Sequence, residues 1–392
     1  MQPLRENTDR TIDAEADLAA GPPGDRPRAA RPRVRVLMVA PSLDILGGQA
    51  VQAHRLLTRL CEEASLEVSF LPINPRLPGP LGCLQRIKYV RTVTTSLLYC
   101  ATLLARVRAC DVVHVFSASY FSFLLATTPA ILIGKLYGRR VLLNYRSGEA
   151  EDHLQRWRRT ALPTIRRVDA IVVPSGYLVD VFARFGLQAR AIANIVDMDR
   201  FQFRERRPLR PVFLSNRNFE PLYNVACILR AFALIQRHFP EARLMVVGDG
   251  SQRATLEGLA RELELRHTDF LGRIAPARMP ELYDAACIYL NSPDIDNMPG
   301  SILEAFASGL PVVTTDAGGI PYIVTHGETG LVVRRGDYAS MAASAIRLLE
   351  DDALSARLAR RARDECRKYR WSAVRSQWLR LYLELAGAAF TG

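Results

Sequence analysis

The sequence predicts an α/β protein of two doubly wound domains, and three observations carry that prediction. Short apolar, strand-like runs alternate with helical patterns along most of the chain. The alternation breaks once, at a charged stretch closed by prolines, and then restarts. With 392 residues, 49% of them hydrophobic, the chain can fill two cores of roughly 150–200 residues each.

The first half opens with RVRVLMVAP (33–41), read as a strand, and LDILGGQAVQAHRLLTRL, a glycine loop leading into an amphipathic helix. LEVSFLPI, DVVHVFS, RVLLNYRS and DAIVVPS follow as strands between helical patterns, which implies a parallel sheet covered on both faces. NIVDMDRFQFRERRPLRP (194–211) clusters charge and loses the apolar period, so it reads as a linker with a boundary near Arg207. Beyond it PVFLSNRN, ARLMVVGDG, RHTDFLGR, ACIYLNSP, LPVVTT and TGLVVRRG repeat the strand–helix alternation, and the last fifty residues read as helices. The expected division is therefore a leader at 1–33, one domain at 34–207 and a second at 208–392 that includes the final helices. The leader mixes Pro, Arg, Ala, Asp and Gly without an apolar run and is expected to be disordered and not a signal peptide.

The formal charge of +12 is carried entirely by residues 1–210, with 31 basic and 19 acidic side chains against 21 and 21 in the remainder. Such asymmetry points to an anionic partner for the N-terminal half: a phosphorylated substrate, an anionic membrane surface or nucleic acid. A solvated basic surface is the plainer reading. Nucleic acid is disfavoured because no aromatic residues interleave with the arginines. Seven dispersed cysteines without a C-x-x-C pair read as buried hydrophobes in a reducing, cytoplasmic setting, and the scattered histidines offer no metal-ligand spacing. Thr92 to Ala105 is too short an uncharged run to span a bilayer, and Val112 to Gly134 breaks into a strand, a turn at SAS and a helix. QRIKYVRTVTTSLLYCATLLARVRAC (85–110) could lie on an anionic bilayer through Arg86, Lys88, Arg91, Arg106 and Arg108, or form a core helix with solvated ends.

The densest signal is Asn291 to Val333. Asp296 precedes a turn made by Pro299, Gly300 and Ser301, and ILEAFASG reads as a short amphipathic helix that carries Glu304 and ends at Gly309. A helix start attracts anions, and a carboxylate one turn inside can accept hydrogen bonds from a sugar or ribose hydroxyl. Gly47 and Gly48 stand before a helix, where they would admit a ligand or make a structural turn. VVGDG ends a strand with Gly248 and Gly250, without a full dinucleotide fingerprint. Arg217 follows a strand and would grip a diphosphate or pair with Glu220 at the surface. In YRSGEAED, Arg146 and the acids Glu149, Glu151 and Asp152 would meet a substrate, or the acids would serve only the helix dipole.

In order and spacing these pieces resemble the glycosyltransferase family four pattern from Arg33 to Leu385: Asp296 to Glu304, the GGIPYIV and GETGLVV runs, the linker Asn194 to Phe201, and Gly47–Gly48. The resemblance implies the GT-B fold, two Rossmann-like domains with an interdomain cleft and a C-terminal helical segment. It implies retaining transfer of a hexose from a nucleotide diphosphate sugar, without a protein-bound metal or permanent cofactor. The acceptor would be polar, a glycan or a lipid-linked molecule of envelope polysaccharide or glycoconjugate synthesis, reached from the cytoplasm or the inner face of the plasma membrane. By position Arg217, Asp296 and Glu304 would be catalytic. Gly248, Gly250, Asn297, Met298, Pro299, Gly300, Ser301, Ile302 and Leu303 would bind the donor, and Gly47, Gly48 and Arg146 the acceptor. Three departures stand out: Asp296 where the family usually has glutamate, no lysine between Arg217 and Lys368, and Arg146 where a histidine is common. They leave a non-catalytic sugar-nucleotide-binding or scaffold protein as the alternative.

Overall fold

The computed structural model describes residues 33–44, 47–77 and 87–387, with the side chain of Lys88 excepted. Residues 1–32 of the expected leader, Cys83 and Arg86 lie outside the described residues. Strands β1 (Val34–Ala40), β2 (Leu66–Pro72), β3 (Val112–Ser117), β4 (Arg140–Tyr145), β5 (Ala170–Val173) and β6 (Arg190–Ala191) form one sheet in the order β2-β1-β3-β4-β5-β6. A second sheet joins β7 (Val212–Asn216), β8 (Arg243–Val247), β9 (Thr268–Gly272), β10 (Ile288–Asn291), β11 (Val312–Thr315) and β12 (Leu331–Val333) in the order β12-β11-β10-β7-β8-β9. Both sheets are parallel throughout, as buried runs with helices between them require. The eleven runs read as strands each form one; the two-residue β6 carried no sequence signal.

In each sheet the chain reverses its strand order once, between β1 and β3 and between β7 and β10. Loops that leave the carboxyl ends of neighbouring strands there splay apart and leave room for a ligand. Val112 to Gly134 divides into β3, which takes in Ser117, a short break at 118–119 and helical structure from 120. Among the described residues no helix is long and apolar enough to cross a membrane.

The last helix, Trp371–Ala386, departs from the expected division at 208–392. Its Val374, Trp378, Leu381 and Tyr382 recur at helical spacing and pack on Val34, Val36, Met38 and Phe116 of the N-terminal sheet. Arg375 donates to both oxygens of Glu63 at 2.6 and 2.5 Å, and Tyr382 Oη lies 2.7 Å from His114 Nδ1. The periodicity showed a packed face but not which sheet it would cover. Cys61 is exposed, unlike Cys110, Cys227, Cys287 and Cys366, which are buried as expected.

Candidate active site

A cleft of about 520 Å³ opens between the carboxyl ends of the two sheets. From the N-terminal half it is lined by Gly47 and Gly48 after β1 and by Arg146 after β4. From the C-terminal half come Arg217 after β7, Gly248 after β8, and Asp296, Asn297, Met298, Pro299, Gly300, Ser301 and Glu304 after β10.

The turn before the helix Gly300–Ser308 is held by backbone contact. Gly318 and Gly319 lie so close to it that a Cβ on either would stand 2.1 Å from the Asp296 carbonyl oxygen or 2.2 Å from that of Asn297, and Gly319 donates to the Asp296 carbonyl at 3.1 Å. The GGIPY run thus shapes the turn without reaching the cleft. No side chain caps the helix, which leaves its first N–H groups facing an anion-binding position. The helix is not amphipathic as expected: all eight residues from Ser301 to Ser308 are buried.

Arg217 pairs with Asp296, not with Glu220, which instead accepts from the backbone and hydroxyl of Ser251. Its guanidinium lies 4.2 Å over the Tyr223 ring, and Nη1 donates to Ser301 Oγ at 3.4 Å. Burial works against the charge, but Asp296 and the surrounding tyrosines outweigh it and hold the pKa above the ordinary arginine value. Gly248 makes this placement possible: with φ +148°, a Cβ there would lie 2.0 Å from the Arg217 carbonyl oxygen.

Glu304 accepts from Arg55 Nη2 at 2.6 Å and from Tyr283 Oη at 2.9 Å. Burial and the Glu304 charge together push the Tyr283 hydroxyl well above its ordinary value, so it remains a donor. Neither Arg55 nor Tyr283 was singled out from sequence. The signal for Arg55 was present, since Gly48, Gln52, Arg55 and Arg59 share one face of the helix Gly48–Cys61. Gln52 on that face bonds both backbone groups of Ile195, at 3.0 and 3.1 Å, and so ties the linker to the first half.

Three expected donor residues do not line the cleft. Ile302 and Leu303 are fully buried in the core beneath it, because a helix turns only every third or fourth residue toward one side. A Cβ on Gly250 would meet the Phe219 carbonyl oxygen at 2.6 Å, so this glycine serves backbone packing. Beside Gly47 and Gly48, by contrast, the described residues leave open space within 4 Å. Asn297 Nδ2 and the Nε atoms of Arg55 and Arg217 are buried without a hydrogen-bond partner among the described residues. No group of three or more His, Cys, Asp or Glu among those residues could hold a metal ion.

The family described as "Glycosyl transferases group 1" matches residues 197–365, the segment that supplies Arg217, Asp296 and Glu304. This segment of the chain is similar to the group 1 glycosyl transferases. The chain is 30% identical over 239 residues to the phosphatidyl-myo-inositol mannosyltransferase of Mycolicibacterium smegmatis, a match that covers 60% of this chain and 56% of that protein. It is 31% identical over 170 residues to the N-acetyl-alpha-D-glucosaminyl L-malate synthase of Bacillus anthracis, covering 43% and 44%. The chain thus spans about half the length of the curated relatives it matches. The GT-B fold recurs in sucrose-phosphate synthase from Thermosynechococcus elongatus, with a TM-score of 0.74 and 19% identity over 91% of this chain and 100% of that one. Anabaena HepE in complex with UDP-glucose gives a TM-score of 0.71 and 18% identity over 90% and 100%.

Proposed function

We propose that this chain is an active group 1 glycosyl transferase that moves a hexose from a nucleotide diphosphate sugar to a hydroxyl of a glycan or lipid-linked acceptor. One observation carries the reading: Arg217, the uncapped start of the Gly300 helix and Glu304 meet in one cleft opposite the open Gly47–Gly48 loop. A cleft of about 520 Å³ suits a ligand of that size. The diphosphate would lie at Arg217 and the helix N-terminus, and Glu304 would share its remaining lone pairs with ribose hydroxyls. As the anomeric bond to the diphosphate breaks, negative charge builds on the leaving oxygens, where Arg217 and the helix N–H groups stabilise it. In the retaining course the acceptor oxygen bonds the anomeric carbon from that same face and passes its proton to the leaving diphosphate. Asp296 holds the Arg217 fork and leaves the positioning of the sugar to the 297–301 turn. No cofactor other than the donor enters this scheme.

A membrane-borne acceptor is favoured by a separate observation. The helix Lys88–Arg106 exposes Tyr89, Val93, Leu97 and Leu104, and the helical segment packed on it exposes Phe121, Leu124, Leu125, Leu132 and Leu136. Tyr89 is 78% and Leu136 74% accessible, and Arg91 and Arg108 flank the patch. Large exposed apolar side chains beside arginines suit the interface of an anionic bilayer. Flotation with anionic and neutral vesicles tests it, and equal recovery from both refutes the anionic surface.

The transfer is tested by titrating UDP, GDP and ADP and following the melting temperature, then assaying nucleotide release from the preferred donor with acceptor extracts. One nucleotide is expected to raise Tm, and release is expected to vanish in Glu304→Ala. Binding without turnover would leave the sugar-nucleotide-binding alternative standing.

A further inference from the structure

Four arginines line the cleft: Arg55, Arg146, Arg217 and Arg273. Three of them meet a carboxylate, Arg55 on Glu304, Arg217 on Asp296, and Arg273 on Asp249 at 3.3 Å. Among the described residues Arg146 has no carboxylate within ion-pair distance. Its Nε donates to Asn144 Oδ1 at 3.0 Å, its Nη1 donates to Asn194 Oδ1, and its guanidinium lies 5.1 Å over the Phe116 ring. Two amide oxygens and an aromatic face hold the fork in position without cancelling its charge. Glu149, in the same loop, also lines the cleft without reaching it, and burial pushes that carboxyl up, toward its neutral form. Burial likewise pulls the Arg146 pKa well down from the ordinary arginine value.

We propose that Arg146 seats an oxyanion, a carboxylate or phosphate, carried by the acceptor beside the hydroxyl that receives the sugar. The proposal rests on the transfer reading above and narrows its acceptor to an anionic one. Arg146 stands on the N-terminal side of the cleft, after β4, opposite the residues assigned to the donor. Its reach to the reacting centre is short, because Asn194, which holds Nη1, donates through Nδ2 to the Met298 carbonyl at 2.7 Å, within the donor turn. A bidentate guanidinium beside that turn would fix an anionic acceptor in register and discriminate against neutral ones.

The test uses the full chain saturated with whichever nucleoside diphosphate binds, so that the Arg217 position is filled. Glycerol 3-phosphate and glucuronate are then titrated by calorimetry against glycerol and glucose. At least one anionic probe is expected to bind ten-fold or more tightly than its neutral counterpart. Arg146→Gln should weaken that probe at least ten-fold while the nucleoside diphosphate affinity stays within two-fold, and Arg146→Lys should restore part of the loss. Equal binding of charged and neutral probes to the wild type overturns the proposal. So does a fall in nucleoside diphosphate affinity in Arg146→Gln, which would make Arg146 a donor-phosphate ligand. A third overturning result is a turnover loss in Arg146→Gln seen with a uronate donor and absent with a hexose donor, which would put the anion on the transferred sugar. If no nucleoside diphosphate binds, the transfer reading fails, and the same probe titration on the free protein still decides whether Arg146 holds an anion.

Discussion

On the C-terminal side of the cleft Arg217 is paired with Asp296 and rests on Tyr223; on the N-terminal side Arg146 has two asparagine amides and Phe116. Both arginines follow a strand of a parallel sheet, and both are partly buried at the cleft. A buried charge is costly unless a counter-charge shares its site. Where the counter-charge is a side chain, the arginine becomes a fixed part of the fold. Where it is not, the same electrostatics become affinity for a ligand anion.

The largest effect that could break this contrast is on the paired side. Arg217→Ala leaves the largely buried Asp296 without its cation, with the Asn297 N–H still donating to it at 2.8 Å, and is expected to cost about 3 kcal/mol, read by thermal or denaturant unfolding, together with loss of nucleoside diphosphate binding. Glu304→Gln keeps the shape but removes the charge that Arg55 meets at 2.6 Å, and a loss of about 1–3 kcal/mol is expected.

A pH effect comes next. His114 is buried between Asn144 and Tyr382, and burial, with the Arg146 charge adding to it, lowers its pKa to about 3. It is therefore neutral in the fold but takes a proton in the unfolded chain below about pH 6.5, so stability falls as pH drops from about 6.5 toward 3. Melting curves between pH 7 and 4 should show this, with a shallower fall in Arg146→Gln because the nearby cation is gone. The smallest effect is on stability near neutral pH: Arg146→Gln is expected to change it by no more than about 1 kcal/mol. A loss as large as that of Arg217→Ala would erase the distinction between the two sides.

Much of the site was legible in the sequence because it is local. Asp296, the turn at 297–301 and Glu304 lie on consecutive residues whose strand, turn and helix patterns are each distinct. The assignment of Ile302 and Leu303 to the same pocket followed the run and neglected the helical turn, which sends them into the core. Gly250 resembled a ligand-facing glycine, yet it serves backbone packing against Phe219. Arg55 and Tyr283 were missed because their bonds to Glu304 cross 249 and 21 residues, and no period in the chain records such distances.

By itself the sequence determined the two parallel sheets, their helices and the turn at the end of β10, because strand and helix periodicity and the placement of glycine act over a few residues. Tertiary structure alone decided that the last helix returns to the first sheet, placing Tyr382 on His114 across 268 residues. It alone decided which arginines find a carboxylate. Ion pairing depends on distances of a few ångströms between segments remote in sequence, and only the packed sheets set those distances.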